Sequence, residues 1–368
     1  MAENPIQVCH VVNAVGPTSI PADIAVELQQ STDIQIGVLS WFDTTDFKQM
    51  ECIDLYSANP PQTSIGINTQ IIKKVQNILS EFDIVHTHHP HSGAFGKIIG
   101  SNVGKKIVTT EHNNHKGYSR KGRILNGLTN SLSDVITCVS QSVYDSFRWW
   151  EKRIISSQDI EVVYNGIDID KIASATNVGT STYDHINVNA DRHLIGISAM
   201  HTEQKAHDVL LRAISELHSQ GYNIDLVITG TGPLEDSLKR LAKNEGIENH
   251  VHFLGLIEQN RLYRLLSDVD IYVMPSRWEG YCVGVAEAMA LGTPCVLSDI
   301  DVFKEVYGDC ALYHSVDDFN GLAATIELLL SDETLQNKLS ACGSNLIQSR
   351  YQIEDVAARY ESLYRHLV

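Results

Sequence analysis

The sequence predicts an α/β protein of two doubly wound, parallel-sheet domains facing a cleft. Three observations carry that reading. Short runs rich in Val and Ile alternate with stretches of helical apolar spacing over nearly the whole chain. The alternation breaks at a polar tract, Ser174 to Ala190, rich in Ser, Thr, Asn and Gly, and then restarts. A length of 368 residues also suffices for two full cores. The expected divisions are 1–170, a linker at 171–190, a second domain at 191–353 and a last helix at 354–368.

In the first half, Ile6 to Asn13 reads as a buried strand, followed by a turn at Gly16-Pro17 and a helix to about Gln30. Ile34 to Ser40 is a second strand. Apolar positions at Ile71, Ile72, Val75, Ile78, Leu79 and Phe82 have helical spacing, and Asp83 to Thr87 follows as a strand. Further strand-like runs are Lys106 to Thr110, Val135 to Val139 and Glu161 to Tyr164. After the polar tract, strands at Leu194 to Ser198, Ile224 to Thr229, Val251 to Leu254, Ile271 to Met274 and Cys295 to Leu297 alternate with helices. Two of those helices are Ala206 to His218 and Pro233 to Asn244. Such alternation produces a parallel sheet with helices on both faces, and ligands bind at the carboxyl ends of its strands.

Composition narrows the function. A hydrophobic content of 43% with 20% charged residues is that of a soluble globular protein, and no apolar run is long enough to span a bilayer. The net charge of −17 argues against a nucleic-acid partner. A local basic patch stands out in the first half at Lys105, Lys106, Lys116, Arg120, Lys121 and Arg123. Met1-Ala2-Glu3-Asn4-Pro5 lacks the basic start of a secretion signal, so the expectation is a cytoplasmic protein. The seven cysteines are scattered without a Cys-x-x-Cys pair, which predicts reduced, mostly buried thiols.

The stretch richest in chemistry runs from Pro275 to Ala290. A loop carrying Glu279 leads into a helix of small residues (Gly284, Ala286, Ala288, Ala290) that also carries Glu287; Gly292 and Pro294 end it. A helix N-terminus offers N–H groups and a positive dipole end to a phosphate. Carboxylates before and inside the helix can accept hydrogen bonds from hydroxyls on either side of it. The ligand suggested is a sugar joined through a diphosphate to a nucleoside.

This glutamate–seven residues–glutamate pattern resembles the signature of the family-4 type of retaining glycosyltransferases, known as glycosyl transferases group 1, which have the GT-B fold. The resemblance extends over nearly the whole chain. Gly230-Thr231-Gly232-Pro233 is similar to the family's Gly-x-Gly-Pro turn. Val251-His252-Phe253-Leu254-Gly255 resembles its next landmark, after which the backbone near Leu256 faces the nucleobase. Gly16 matches the glycine loop beside the diphosphate. Thr110-Glu111-His112-Asn113 resembles the stretch with the family's cleft histidine, and His88 falls among histidines that line the acceptor side. The last helix of the family crosses back to the first domain, and the same is expected here.

The resemblance implies transfer of a sugar, most often from a uridine diphosphate donor, to a hydroxyl of a lipid-linked or cell-surface glycan. It implies retention of configuration, no cofactor and no metal. Lys205, Gly16, Gly230 and the amides near Cys282 and Val283 would hold the diphosphate, and Glu287 the ribose. Glu279 and His112 would bind the donor sugar beside the reacting carbon, with His112 also touching the reacting phosphate oxygen. His88 and Glu111 would serve the acceptor side, and Glu111 either orients His112 or faces the acceptor. Peripheral contact of the first domain with the inner face of a membrane is compatible with such an acceptor.

Two departures stand out. The family's arginine five residues before Lys205 is Met200 here, so either His201 or another cation replaces it, or donor binding is weaker, or activity is lost. The usual Glu-Gly-Phe-Gly-Leu reads Glu279-Gly280-Tyr281-Cys282-Val283-Gly284, with the glycine two positions later. His86-Thr87-His88-His89-Pro90-His91 and the Asp-x-Asp triplets at 168–170, 268–270 and 299–301 are assigned no metal. A sugar-nucleotide 2-epimerase and an inactive nucleotide-sugar-binding partner protein are the alternative readings on the same fold.

Overall fold

The computed structural model describes residues 5–15, 19–42, 52–59, 68–176 and 192–368. The chain divides into one unit of Met1–Gly166 with Ile353–Val368 and a second of Ile167–Gln352.

The first unit holds seven strands: β1 (Gln7–Val12), β2 (Gln35–Ser40), β3 (Asp54–Ser57), β4 (Ile84–Thr87), β5 (Lys106–Glu111), β6 (Val135–Cys138) and β7 (Asp159–Val162). Their order is β3-β2-β1-β4-β5-β6-β7, with every pairing parallel. Val8 to Val12 are fully buried because helices cover both faces of the sheet. On one face the helices Ile20–Ser31 and Ile353–Leu367 pack together, so Ile24, Leu28, Tyr360 and Tyr364 share a cluster with Val8, Ile84, Val108 and Val135. On the other face the helix Thr69–Ser80, capped by the Asn68 side chain on the Ile71 amide, places Ile71, Val75 and Leu79 against Val85 and Ile107.

Strand alternation explains a change of character along the first of these faces. His10 lies directly across from His86, and Thr110 across from Thr137. Residues two apart share a face. The apolar Val8, Ile84, Val108 and Val135 therefore give way, toward the carboxyl ends, to His10, His86, Thr110 and Thr137.

The second unit holds β8 (His193–Ser198), β9 (Ile224–Thr229), β10 (Val251–Gly255), β11 (Ile271–Met274), β12 (Cys295–Ser298) and β13 (Leu312–His314). The order is β10-β9-β8-β11-β12-β13, again all parallel. In both sheets the first strand lies between the second and the fourth, so strand order reverses at β1/β4 and at β8/β11. Such reversals open a crevice at the carboxyl edge.

Several expectations need correction. The strand anticipated at Glu161 to Tyr164 starts at Asp159 and ends at Val162. The edge strands β3, of four residues, and β13, of three, have too few apolar positions to register as periodic. The polar tract does not begin as a loop: Ser174 belongs to the helix Ile169–Thr176, while 177–190 lie outside the described residues. The helix anticipated from Ala206 starts at His207 and runs to Ser219, and left-handed Ala206 separates it from a 3₁₀ turn, Glu203–Lys205, that ends on Lys205. Cys310 and Cys342 are disulfide-bonded, with Cα atoms 5.2 Å apart, because the turn Gly308–Cys310 meets the helix Glu333–Arg350. That separation of 32 residues carries no signature in the sequence.

A buried charged network braces the carboxyl side of β5. Glu111 Oε1 accepts from Asn126 (2.6 Å) and Asn130 (2.8 Å); Oε2 accepts from the Tyr118 hydroxyl (3.1 Å) and lies 3.2 Å from His115 Nε2. His115 Nδ1 lies 3.0 Å from Glu151 Oε1, and Arg123 grips the other Glu151 oxygen through Nε and Nη2. Lys97, fully buried, donates to the Asn126 and Asn130 side-chain oxygens. Burial alone would lower the His115 pKa. The flanking Glu111 and Glu151 carboxylates outweigh it and hold the ring charged, with a pKa pushed up to about 9.

Because that folded value lies above the ordinary one, the His115 contribution to stability is complete below about pH 6.5 and is lost as pH rises toward 9. Burial acts the other way on Lys97, lowering its pKa to about 8, so its effect develops only above that pH. His115→Leu should cost about 3–5 kcal/mol at pH 6 by leaving buried carboxylates short of a partner. Urea unfolding at pH 6 and pH 8 checks this, since the gap between variant and wild type should narrow at pH 8.

Candidate active site

In the second unit the loops after β8 and β11 meet at the reversal of strand order. Lys205 Nζ lies 2.5 Å from Glu279 Oε1, which also accepts from the Ser276 hydroxyl at 2.7 Å. Gln204 Nε2 donates to Glu279 Oε2 at 3.1 Å. Glu279 is buried, and burial is offset here by three donors. Burial also works against the Lys205 charge, but the Glu279 carboxylate outweighs it and raises the lysine above its ordinary range. The ammonium therefore stays charged at any physiological pH.

Arg277 fastens the same two loops and was not singled out by the sequence. Its backbone N–H donates to the Gln204 carbonyl, and its guanidinium reaches the Glu203 carbonyl (2.6 Å), Asp208 (3.0 and 3.2 Å) and Asp317 (2.7 Å). Its place two residues before Glu279 was the one available signal. At the position of the missing arginine, Met200 is exposed. His201 supplies no standing charge in its place: it is buried, and burial holds its pKa below the ordinary value. Gly230 and Gly232 lie close against the loop after β8. A Cβ on Gly230 would lie 2.2 Å from the Ala199 carbonyl oxygen, and one on Gly232 2.6 Å from that of His201. These glycines let the turn pack against the loop that carries Lys205.

Cys282 resolves the displaced glycine. It adopts φ 71°, the left-handed conformation that favours glycine, and precedes the helix Val283–Ala290. The turn thus keeps its backbone shape with a cysteine in it. The Tyr307 hydroxyl holds this shape with its one proton between the carbonyls of Cys282 (2.8 Å) and Tyr281 (3.0 Å). Burial pushes the Cys282 thiol up to about 12, so it is not a nucleophile. Gly284 lies inside the helix, where a Cβ would come 2.7 Å from the Tyr272 hydroxyl oxygen of β11. Val283 opens the helix and Glu287 lies a turn further on, buried, within 3.3 Å of the Tyr263 hydroxyl. Leu256, after left-handed Gly255, is exposed.

In the first unit, His112 is half-buried at the end of β5 and its Nε2 lies 3.0 Å from His88 Nδ1. His88 itself is buried, with its other nitrogen 2.9 Å from His10 Nδ1, so it contacts other histidines where an acceptor-lining residue was expected. Glu111 likewise turns inward, into the network around His115, and orients that histidine and not His112. Gly16 lies outside the described residues. The Asp-x-Asp triplets are occupied locally: Asp168 caps the Lys171 amide, Asp270 accepts from the Leu194 amide, and Asp299 pairs with Lys304. Beside this edge is a cavity of about 860 Å³ lined by Lys116, Arg120, Arg148, Ile124, Leu128 and Trp150.

Two tandem doubly wound units, one with a Lys–Glu pair and a glutamate-bearing helix at its strand reversal, define a GT-B glycosyltransferase. Residues 184–345 match the family described as Glycosyl transferases group 1, and residues 23–171 match Glycosyltransferase Family 4. Together they take in most of the chain, which belongs to this family. Among curated proteins it is 24% identical to the O-antigen biosynthesis glycosyltransferase WclY of Escherichia coli, over 98% of this chain and 99% of that one. It is 28% identical to the N-acetyl-alpha-D-glucosaminyl L-malate synthase of Bacillus anthracis, over 77% and 74%. Among solved structures, Anabaena Alr3699/HepE in complex with UDP and glucose superposes with a TM-score of 0.83 at 16% identity, covering 98% of this chain and all of that one. The protein is a glycosyltransferase.

The left-handed turn yields a test. Cys282→Gly should unfold at a urea midpoint close to wild type or above it. Cys282→Val, a branched residue at positive φ, should cost about 1–3 kcal/mol in the same measurement.

Proposed function

We propose that the protein transfers a sugar, with retention and without metal, from a UDP-sugar to a hydroxyl of a lipid-linked or cell-surface glycan. The observation that carries this reading is the Lys205–Glu279 pair beside the N-terminus of the helix Val283–Ala290. A leaving diphosphate needs fixed positive charge; a permanently charged lysine and a helix N-terminus supply it without a metal ion. The local engagement of the Asp-x-Asp carboxylates supports the same point. Glu279 accepts hydrogen bonds from the donor sugar, Glu287 from the ribose, and His112 contacts the sugar. UDP as the carrier is supported by the bound UDP of the similar Anabaena structure, and a glycan acceptor by the O-antigen relative.

Calorimetry with UDP-sugars should show binding that Glu287→Ala weakens by about 10- to 100-fold, the loss of hydrogen bonds to a charged group. With the donor so identified, EDTA should leave the transfer rate unchanged, and NMR of the product should show the donor's anomeric configuration. Turnover of the donor without an acceptor would favour the epimerase reading instead.

No helix among the described residues is long and apolar enough to cross a membrane. The reading places a peripheral contact at the cavity of the first unit, where Lys116, Arg120 and Arg148 accompany exposed Ile124, Leu128 and, nearby, Trp149. Apolar side chains beside cations suit an anionic lipid surface, in spite of the net charge of −17. Flotation with vesicles containing phosphatidylglycerol should recover wild type at low salt. Recovery should fall in 0.5 M NaCl and in an Arg120→Glu, Leu128→Glu variant.

A further inference from the structure

His112 ends an unbroken hydrogen-bonded chain that begins at the sheet backbone. Thr137 Oγ1 donates to the Thr109 carbonyl at 3.5 Å. Thr110 Oγ1 lies 2.6 Å from Thr137 Oγ1, and His86 Nε2 lies 2.6 Å from Thr110 Oγ1. The Tyr364 hydroxyl lies 2.5 Å from His86 Nδ1 and 3.3 Å from His10 Nε2. His10 Nδ1 is 2.9 Å from His88 Nε2, and His88 Nδ1 is 3.0 Å from His112 Nε2. All of these residues belong to the first unit.

Counting protons from the Thr137–Thr109 carbonyl bond gives the chain a direction. A carbonyl oxygen only accepts, and a hydroxyl has one proton. With the Thr137 proton on the Thr109 carbonyl, Thr110 donates to Thr137 and accepts from His86 Nε2–H. A neutral imidazole has one N–H, so His86 Nδ1 is bare and accepts from Tyr364. With its proton spent, the Tyr364 oxygen accepts from His10 Nε2–H. His10 Nδ1 then accepts from His88 Nε2–H, and His88 Nδ1 from His112 Nε2–H. The Tyr360 hydroxyl, 3.0 Å from Thr110 and 3.2 Å from Thr137, fits this direction as a donor; a Thr110 proton turned instead toward His86 would reverse the chain and leave His112 Nε2 bare. All four rings are neutral at physiological pH: burial lowers His10 and His112 to about 3 and holds His86 and His88 well below their ordinary value.

We infer that this chain locks His112 as its Nε2–H tautomer and leaves Nδ1 bare as a hydrogen-bond acceptor, with Tyr364, His10 and His88 as positioning residues. An acceptor nitrogen matches a hydroxyl and repels a phosphate oxygen or a carboxylate, which are acceptors too. On the assignment of His112 to the donor sugar, which this rests on, the expected contact with the phosphate oxygen is withdrawn. The substrate class narrows to donors that offer His112 a hydroxyl and not the carboxylate of a uronic acid.

The test is long-range proton–nitrogen NMR on protein carrying 15N-histidine, with His112→Gln identifying the His112 signals. Nε2–H at His10, His86, His88 and His112 is the expected result. Tyr364→Phe removes the donor to His86 and the acceptor of His10. His112 should then become a mixture of tautomers, kcat/KM for transfer should fall on the order of 10-fold, and affinity for UDP alone should stay unchanged. Thr110→Val breaks the chain from its other end and should give the same mixture, whereas Thr110→Ser should restore a single tautomer. An Nδ1–H or doubly protonated His112 in wild type overturns the inference, as does a His112 tautomer indifferent to both breaks. It is equally overturned if a chelator shifts the signals of His10, His86 and His88, whose ligand atoms lie within 4.8 Å of one another, because those nitrogens would then hold a cation. The nitrogen spectra decide the matter whether or not sugar transfer is observed.

Discussion

Parallel strand pairing is the constraint on which the rest of this structure depends. Every pairing in both sheets is parallel among the described residues, so within each sheet all strands end at the same edge. Each connection must cross over a face, and the chain starts a sheet in its middle before filling both sides. At β1/β4 and β8/β11 neighbouring connections leave in opposite directions, and the edge opens there. The histidine chain occupies one of these openings and the Lys205–Glu279 pair the other. Neither position needed separate construction, because the winding of each sheet creates it.

Polar groups placed in such openings must be paired, because buried donors and acceptors cost more unpaired than paired ones contribute. The two units meet this demand differently. The first uses neutral rings and hydroxyls handing one proton along, with a carboxylate network braced behind it. The second sets charges against each other: Glu279 is held by a lysine, a serine and a glutamine, and Arg277 ties the loops that carry them. A chain of neutral groups resists titration and suits recognition of hydroxyls. A charged pair beside a helix terminus suits a diphosphate, whose charge grows as the bond to the sugar breaks.

Much of the fold was legible because its signals are local. Central strands are continuous apolar runs, and the helices between them repeat their apolar residues at helical spacing. Glu279, Glu287 and Lys205 were legible through a spaced motif on one strand, loop and helix. Cys282 was legible only as a departure, since a left-handed cysteine looks like any other cysteine until its φ is known. Arg277 was passed over because its partners, Asp208 and Asp317, are distant in sequence. Glu111 and His88 were read as facing a substrate because they follow strands, yet their hydrogen-bonding atoms point inward. The Cys310–Cys342 bond escaped for the same reason as Arg277.

By itself, then, the sequence determined the alternation of strands and helices, the doubly wound class, the break between halves and the residue types at the carboxyl edges. These follow from periodicity and from turn chemistry, which act within a few residues. Only the tertiary structure decided which of those residues touch one another. It set Tyr364, from the last helix, between His86 and His10 from the first unit's central strands, and so joined His112 to a chain of partners that reaches the sheet backbone. A hydrogen bond's direction depends on every partner along its chain, and those partners come together only when the strands and the helix over them have packed.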